Sequence, residues 1–285
     1  MKLFSKLLGS KPSWRYAAGG TVWKLLCTRD ILLGDARDLN AHTASFFALN
    51  LISGDVLWKG VTLPQQWWIG MQAVVGDTLI LHGFEKPDMP IPKGMYAIDC
   101  ATGAKQWHDE QLTFLFASNG RVYAQRASFS TRSYFEIDPH TGESVYDYGQ
   151  NEEGIMQLRA LATVAEEPGY VFAETLQTFP APTQQMITGA IDLSKVRGAV
   201  DVAVARNLTI VAYHEPAKGA NAVLNNRVIN KLKILSASGS VLFDDVLIED
   251  APAPVPDVFF IKDDVLLYVK DMTHVTGLRL SELHA

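Results

Sequence analysis

Seven histidines, two cysteines and 31 acidic side chains are the groups with chemistry to offer in this 285-residue chain, and their spacing gives them little to do together. His42, His82, His108, His140, His214, His274 and His284 lack the close pairings that set two imidazoles on one metal. His108-Asp109-Glu110 and His214-Glu215 are adjacent runs. Neighbours on a strand point to opposite faces, so neither run reads as an acid–base pair. Cys27 and Cys100 stand apart in apolar surroundings, as reduced core residues do. No nucleophile elbow, phosphate loop or paired-carboxylate motif occurs. Asn151-Glu152-Glu153 and Asp244-Asp245 read as solvated turns. Recognition remains. Trp67-Trp68, within Pro64-Gln65-Gln66-Trp67-Trp68-Ile69-Gly70, is the best surface candidate. One of the two rings is expected to be a partner-binding anchor. The alternative is that both are absorbed between packed sheets.

The elements that position these residues follow from a repeat. The pattern [Ser/Thr]-Gly-x-x-x-aromatic recurs as Ser53-Gly54 to Trp58, Thr102-Gly103 to Trp107, Thr141-Gly142 to Tyr146 and Ser238-Gly239 to Phe243. Asn50, Asp99 and Asp138 stand four residues before the glycine in three copies, and Leu235 breaks the pattern in the fourth. The glycine-to-glycine steps are 49, 39 and 97 residues. The long step predicts a degenerate copy at Ala190-Ile191-Asp192-Leu193, with an outer strand missing or very short after Leu193. A further copy straddles the termini, Gly277 to Leu283 pairing with the strand near Ser13 to Ala17. Six copies of about 47 residues result, the size of a propeller blade.

Within a copy, tight turns separate short runs of strand character. Asn119-Gly120 is the strongest hairpin signal, with Gly76-Asp77, Arg206-Asn207 and Asp263-Asp264 at equivalent places. Almost no stretch has a 3.6-residue period. The fold class expected is all-β: a six-bladed β-propeller of four-stranded antiparallel blades, closed by N- and C-terminal strands sharing one blade. Residues 1–12 form a tail and 13–285 one domain. The recurring aromatic is expected to fill the seam between blades.

Ala97-Ile98-Asp99-Cys100-Ala101-Thr102-Gly103-Ala104-Lys105-Gln106-Trp107 resembles the tryptophan-docking motif of pyrroloquinoline quinone (PQQ)-type β-propeller repeats, and Leu49 to Trp58 is a second good match. The resemblance spans nearly the whole chain, strongly in two blades. It implies the blade and not the quinone. Quinoprotein dehydrogenases of this superfamily are usually eight-bladed and longer, many with adjacent cysteines over the cofactor. This chain is therefore expected to be a non-dehydrogenase member with no cofactor. The superfamily's non-enzymatic members include the lipoprotein of the outer-membrane assembly machinery; no lipobox is present here.

Composition sets the remaining bounds. With 48% hydrophobic and 20% charged residues the balance is that of an ordinary globular protein. A net charge of −6, with no basic stripe, argues against nucleic acid. No apolar run has the length of a transmembrane segment. Met1 to Lys11 lacks the apolar core of a signal peptide and reads as a tail, with a short interfacial helix as alternative. A cytoplasmic location is expected.

Irregular sequence is expected to gather at one end of the blades. Second-to-third strand loops there are Phe84 to Lys93, Gln177 to Gln185 and Pro216 to Asn226. Connections between blades there are Lys59 to Gly70, Gly149 to Gln157 and Glu249 to Asp257. Elaborated loops on a rigid scaffold carry function. The function expected is a non-catalytic scaffold that binds a protein or peptide through this face. The alternative is a small-molecule binder or enzyme with a site at the central channel mouth, marked by converging carboxylates or histidines beside a deep pocket.

Overall fold

The structure, a computed structural model, describes residues 11–86, 89–163, 169–217, 219 and 226–283. They fall into two compact units: Ala18 to Pro168, and Gly169 onward together with the segment ending at Ala17.

The unit beginning at Ala18 is three successive four-stranded antiparallel meanders. The first is β2 (Thr21–Cys27), β3 (Ile31–Asp38), β4 (Thr43–Asn50) and β5 (Val56–Val61), following β1 (Trp14–Ala17) in the chain. The second is β6 (Ile69–Val75), β7 (Thr78–Lys86), β8 (Met89–Asp99) and β9 (Lys105–Asp109). The third is β10 (Leu112–Ser118), β11 (Arg121–Ala127), β12 (Arg132–Ile137) and β13 (Ser144–Gly149). Helix α1 (Glu152–Thr163) ends the unit.

The repeat has a physical basis in this unit. Asp99 Oδ1 accepts from the Ala101 and Thr102 amides at 3.1 and 2.8 Å and from the Thr102 hydroxyl at 2.8 Å. The Gly103 amide closes onto Asp99 O at 2.9 Å, and Gly103 has φ +72°. Asn50 and Asp138 accept from their own turns in the same way. These side-chain turns explain the Asx-to-glycine spacing. They also place the aromatic. The Trp58 indole donates to Cys100 O at 2.8 Å and its ring lies on Gly103, where a Cβ would stand 2.8 Å from it. Trp107 repeats this on Pro139 O at 2.8 Å and on Gly142. Each tryptophan thus docks on the turn of the next sheet, as expected; Tyr146, at the same place in the third sheet, is 57% exposed and departs from the expectation.

The other unit holds two five-stranded sheets. One is β15 (Glu174–Thr175), β16 (Asp201–Ala205), β17 (Leu208–Pro216), β18 (Val228–Leu235) and β19 (Val241–Ala251). The other runs β1, β22 (His274–Arg279), β21 (Val265–Lys270), β20 (Phe259–Lys262) and β14 (Tyr170–Phe172). Strand β1 pairs with β22 in the register Trp14 to Gly277 and Ala17 to His274, so the two ends of the chain share a sheet. The paired segment is His274–Arg279; Leu280–Glu282, expected as strand, is a turn of 3-10 helix. The predicted hairpins are all present, and Asn119, Gly120, Arg206 and Asn207 take positive φ in two of them.

The described residues form five sheets, so a sixth blade is not shown. One expectation is corrected. No blade begins at Ala190-Ile191-Asp192-Leu193: helix α2 (Ala181–Ala190) and a 3-10 turn at Leu193–Lys195 occupy that stretch, so there is no outer strand to be missing. The four-residue likeness was too short to outweigh helical packing, in which Ile187 and Ile191 join Val202, Val211 and Tyr213 in one core. The class is all-β as expected, with two helices set among the sheets. Helices α1 and α2 fill the long step between the third and fourth glycines, and Asn151 caps α1 by accepting from the Gly154 amide at 3.0 Å.

The fourth turn departs for a definable reason. Ile234 faces Phe243 just as Ala97 faces Trp107. Counted from this register Ser236 holds the Asp99 position, and the loop is one residue shorter. Met186 of α2 covers Gly239, 3.1 Å from where a Cβ would stand.

Candidate functional site

The antiparallel order puts the tight glycine turns of the first unit's sheets at one end. The β3–β4 turn, the β5–β6 connection and the β7–β8 hairpin lie at the other. Trp67 and Trp68 stand in the β5–β6 connection, at that second end. Trp67 is half-buried and Trp68 is 37% exposed, so neither is wholly absorbed into the core.

Arg37, near the end of β3, organises this end. Its Nη1 donates to Trp67 O and its Nη2 to Ile69 O, which ties the connection to the first sheet from both sides of Trp68. Nη2 also donates to Asp35 Oδ2 at 2.7 Å. Asp35 and Arg37 lie two apart on one strand and so share a face. Two indoles lie against the guanidinium, Trp67 at 5.4 Å and Trp23 at 5.5 Å from its carbon to their centroids. Trp23 is 63% exposed. His42, in the β3–β4 turn, meets the Trp67 ring edge-on at 5.3 Å. Trp68 meets Phe84 edge-on at 6.1 Å, and Phe84 meets His82 at 4.7 Å. Lys24 Nζ donates to Met71 O at 3.0 Å.

Asp35 is fully buried, and burial lifts its carboxyl above the usual range against the pull of Arg37. Burial first, then Lys24 and Arg37, push His82 down to about 4. His82 is therefore neutral at pH 7 and bonds Gln72 through Nδ1. What the cluster presents outward is aromatic surface braced by a cation.

The His82 shift sets a pH dependence. An unfolded chain takes up a proton at its ordinary histidine pKa of about 6.5, while the folded His82 resists until about 4. Stability from this group is full above pH about 6.5 and falls as the pH drops toward 4. Comparing His82→Gln with the wild type in urea melts across that range isolates the effect. The variant should show a shallower fall, and parallel curves would contradict the shift.

The other chemistry-bearing residues are dispersed. His108 stacks on Tyr96 at 5.9 Å, while Asp109 accepts from the Gln111 and Leu112 amides and pairs with Arg126 at 3.0 Å. His214 is buried and its Nε2 accepts the Val255 amide at 3.0 Å, while Glu215 pairs with Lys231 at 2.6 Å. Cys27 and Cys100 are buried, and burial pushes the Cys100 thiol up to about 12. Asp244-Asp245 is not a solvated turn: it lies in β19, where Asp245 accepts from Tyr268 at 3.0 Å and Lys270 at 2.5 Å. Glu152 and Glu153 open α1 instead of a turn. Among the described residues, no three His, Cys, Asp or Glu side chains gather as a metal site. A cleft of about 540 Å³ lies between α2 and the Ser238-Gly239 turn, and its lining carries no titratable group.

Four of the six expected loops are partly ordered elements. The stretch Phe84 to Lys93 extends β7 and β8, Gln177 to Gln185 enters α2, Gly149 to Gln157 enters α1, and Glu249 to Asp257 begins as β19. Most of Pro216 to Asn226, the tail before Lys11, and His284 fall outside the described residues. Sequence reasoning missed Arg37, Trp23 and Asp35. The signal for them was the charged pair Asp35-x-Arg37 inside an apolar strand.

A family model described as a domain of unknown function, DUF4905, matches residues 27–107. That span includes Arg37, Trp67 and both docking motifs. No curated protein matches the sequence. Among solved structures, BamB from Moraxella catarrhalis is similar over 96% of this chain and 99% of its own, at 10% identity and a TM-score of 0.29. The Dos1 propeller is similar over 91% and 68%, at 12% identity and a TM-score of 0.31. The β-propeller domain of the Trilobed protease from Pyrococcus furiosus covers 93% and 68%, at 10% identity and a TM-score of 0.32. All three are propeller-type likenesses at low scores and carry no function across. Among the described residues no helix is long and apolar enough to cross a membrane.

Proposed function

We propose that this protein is a non-catalytic propeller scaffold of the PQQ-repeat type, with the ring held by the β1–β22 pairing, and that it binds a protein or peptide partner. The surface is the loop-bearing end of the first unit, with Trp68 as anchor and Trp67 as its support. The observation that carries this reading is Arg37. It fixes the backbone on both sides of Trp68, yet leaves that ring 37% exposed beside Trp23 at 63%. A large ring held rigidly at a surface costs little further ordering when a partner covers it. The test is affinity capture with quantitative mass spectrometry, comparing wild type with Trp68→Ala. The variant should stay folded, because its ring is over a third exposed, and should lose one or more captured proteins. Identical capture by a folded Trp68→Ala would overturn the reading.

A further inference from the structure

The Arg37 cluster leaves two polar atoms unmatched. Arg37 Nε and Asp35 Oδ1 are both buried without a hydrogen-bond partner. A buried N–H without an acceptor costs free energy, and such a group in a folded protein calls for an explanation. The remaining Arg37 contacts are all accounted for by Asp35, Trp67 O and Ile69 O. What lies against this guanidinium on the outer side is Trp23, whose ring is largely in solvent. The nearby Asp38 is spent on its own turn, where it accepts from the Asn40 and Ala41 amides at 2.9 Å each.

We propose that the partner engages this cluster through a carboxylate, which takes up the unmatched Arg37 Nε–H once the Trp23 ring has swung aside. The proposal deepens the scaffold reading and rests on it. The carboxylate comes from an Asp or Glu side chain or from a chain terminus; both offer the acceptor geometry that guanidinium favours. The flanking indoles then lie along the acidic residue, in water-poor surroundings where a charge-assisted bond is stronger than in bulk solvent. The buried position of Arg37 explains why ring movement must come first. Trp23 is the group free to move, because most of its surface touches no protein.

Fluorine NMR on the full chain labelled with fluorotryptophan tests this directly, since its six tryptophans give six assignable signals. The probes are N-acetylglutamate N-methylamide for a side chain and N-acetylalanine for a terminus, with N-acetylglutamine N-methylamide as the uncharged control. The Trp23 and Trp67 signals should move saturably with at least one carboxylate, in the millimolar range expected of a single contact, and not with the control. The Trp14, Trp58 and Trp107 signals should stay. Whichever carboxylate acts names the source. Trp23→Ala should bind the same probe several-fold more tightly, because the covering ring is gone. No saturable shift, an equal shift with the control, or unchanged affinity in Trp23→Ala would each overturn the proposal. Loss of the carboxylate effect alongside Trp68-dependent capture would remove this inference and leave the scaffold reading standing.

Discussion

Trp58→Ala should lower the unfolding free energy of the first unit by about 3–5 kcal/mol, the range for deleting a buried large aromatic. Trp58 is 8% exposed, and its indole donates to Cys100 O across the seam between the first and second sheets. Removal opens a cavity over Gly103 and strands the buried Cys100 carbonyl. Gly103→Ala should act at the same seam from the opposite side. Its φ of +72° disfavours any side chain, and a new Cβ would stand 2.8 Å from the Trp58 ring. Chemical denaturation read by circular dichroism measures both. A midpoint unchanged in either variant would mean the docking contact does not hold the sheets together.

Truncation through Ala17 should have an effect of similar size in the other unit. Strand β1 is the outer strand of the C-terminal sheet, and the Trp14 ring, 8% exposed, covers Gly277 on β22. Without β1, strand β22 becomes an open edge with a bare glycine. The truncated protein should melt several degrees lower and tend to self-associate. Unchanged melting would show that the terminal pairing contributes nothing to stability.

Much of this was legible because backbone chemistry is local. Asp99, Thr102 and Gly103 specify their turn by contacts within five residues, so the repeat could be read directly. The docking of Trp58 followed because the turn it meets is itself part of the motif. Helix α1 was readable but overlooked: Asn151 as cap, Glu152 and Glu153 in the first turn, then Ile155, Leu158 and Ala162 on one face toward Phe116 and Tyr134. Helix α2 was obscured by the chance likeness of Ala190-Ile191-Asp192 to a strand. The shortened fourth loop hid its kinship because the spacing was counted from the glycine, not from Ser236. At the site, Trp67 and Trp68 stood out by residue type. Arg37 did not, because its partners are backbone carbonyls of Trp67 and Ile69, 30 and 32 residues away, and carbonyls leave no mark in a sequence.

The claim that the loop-bearing end of the first unit is the binding surface is tested most directly by photocrosslinking. A photoreactive phenylalanine analogue replaces Trp68 in one version and Asn119, in a tight turn of the third sheet, in another. Crosslinked partners from the native cell extract are then mapped by mass spectrometry. The Trp68 position should yield a discrete adduct that excess unlabelled protein competes away, and the Asn119 position none. A competable adduct at Asn119 with nothing at Trp68 would contradict the assignment of the surface.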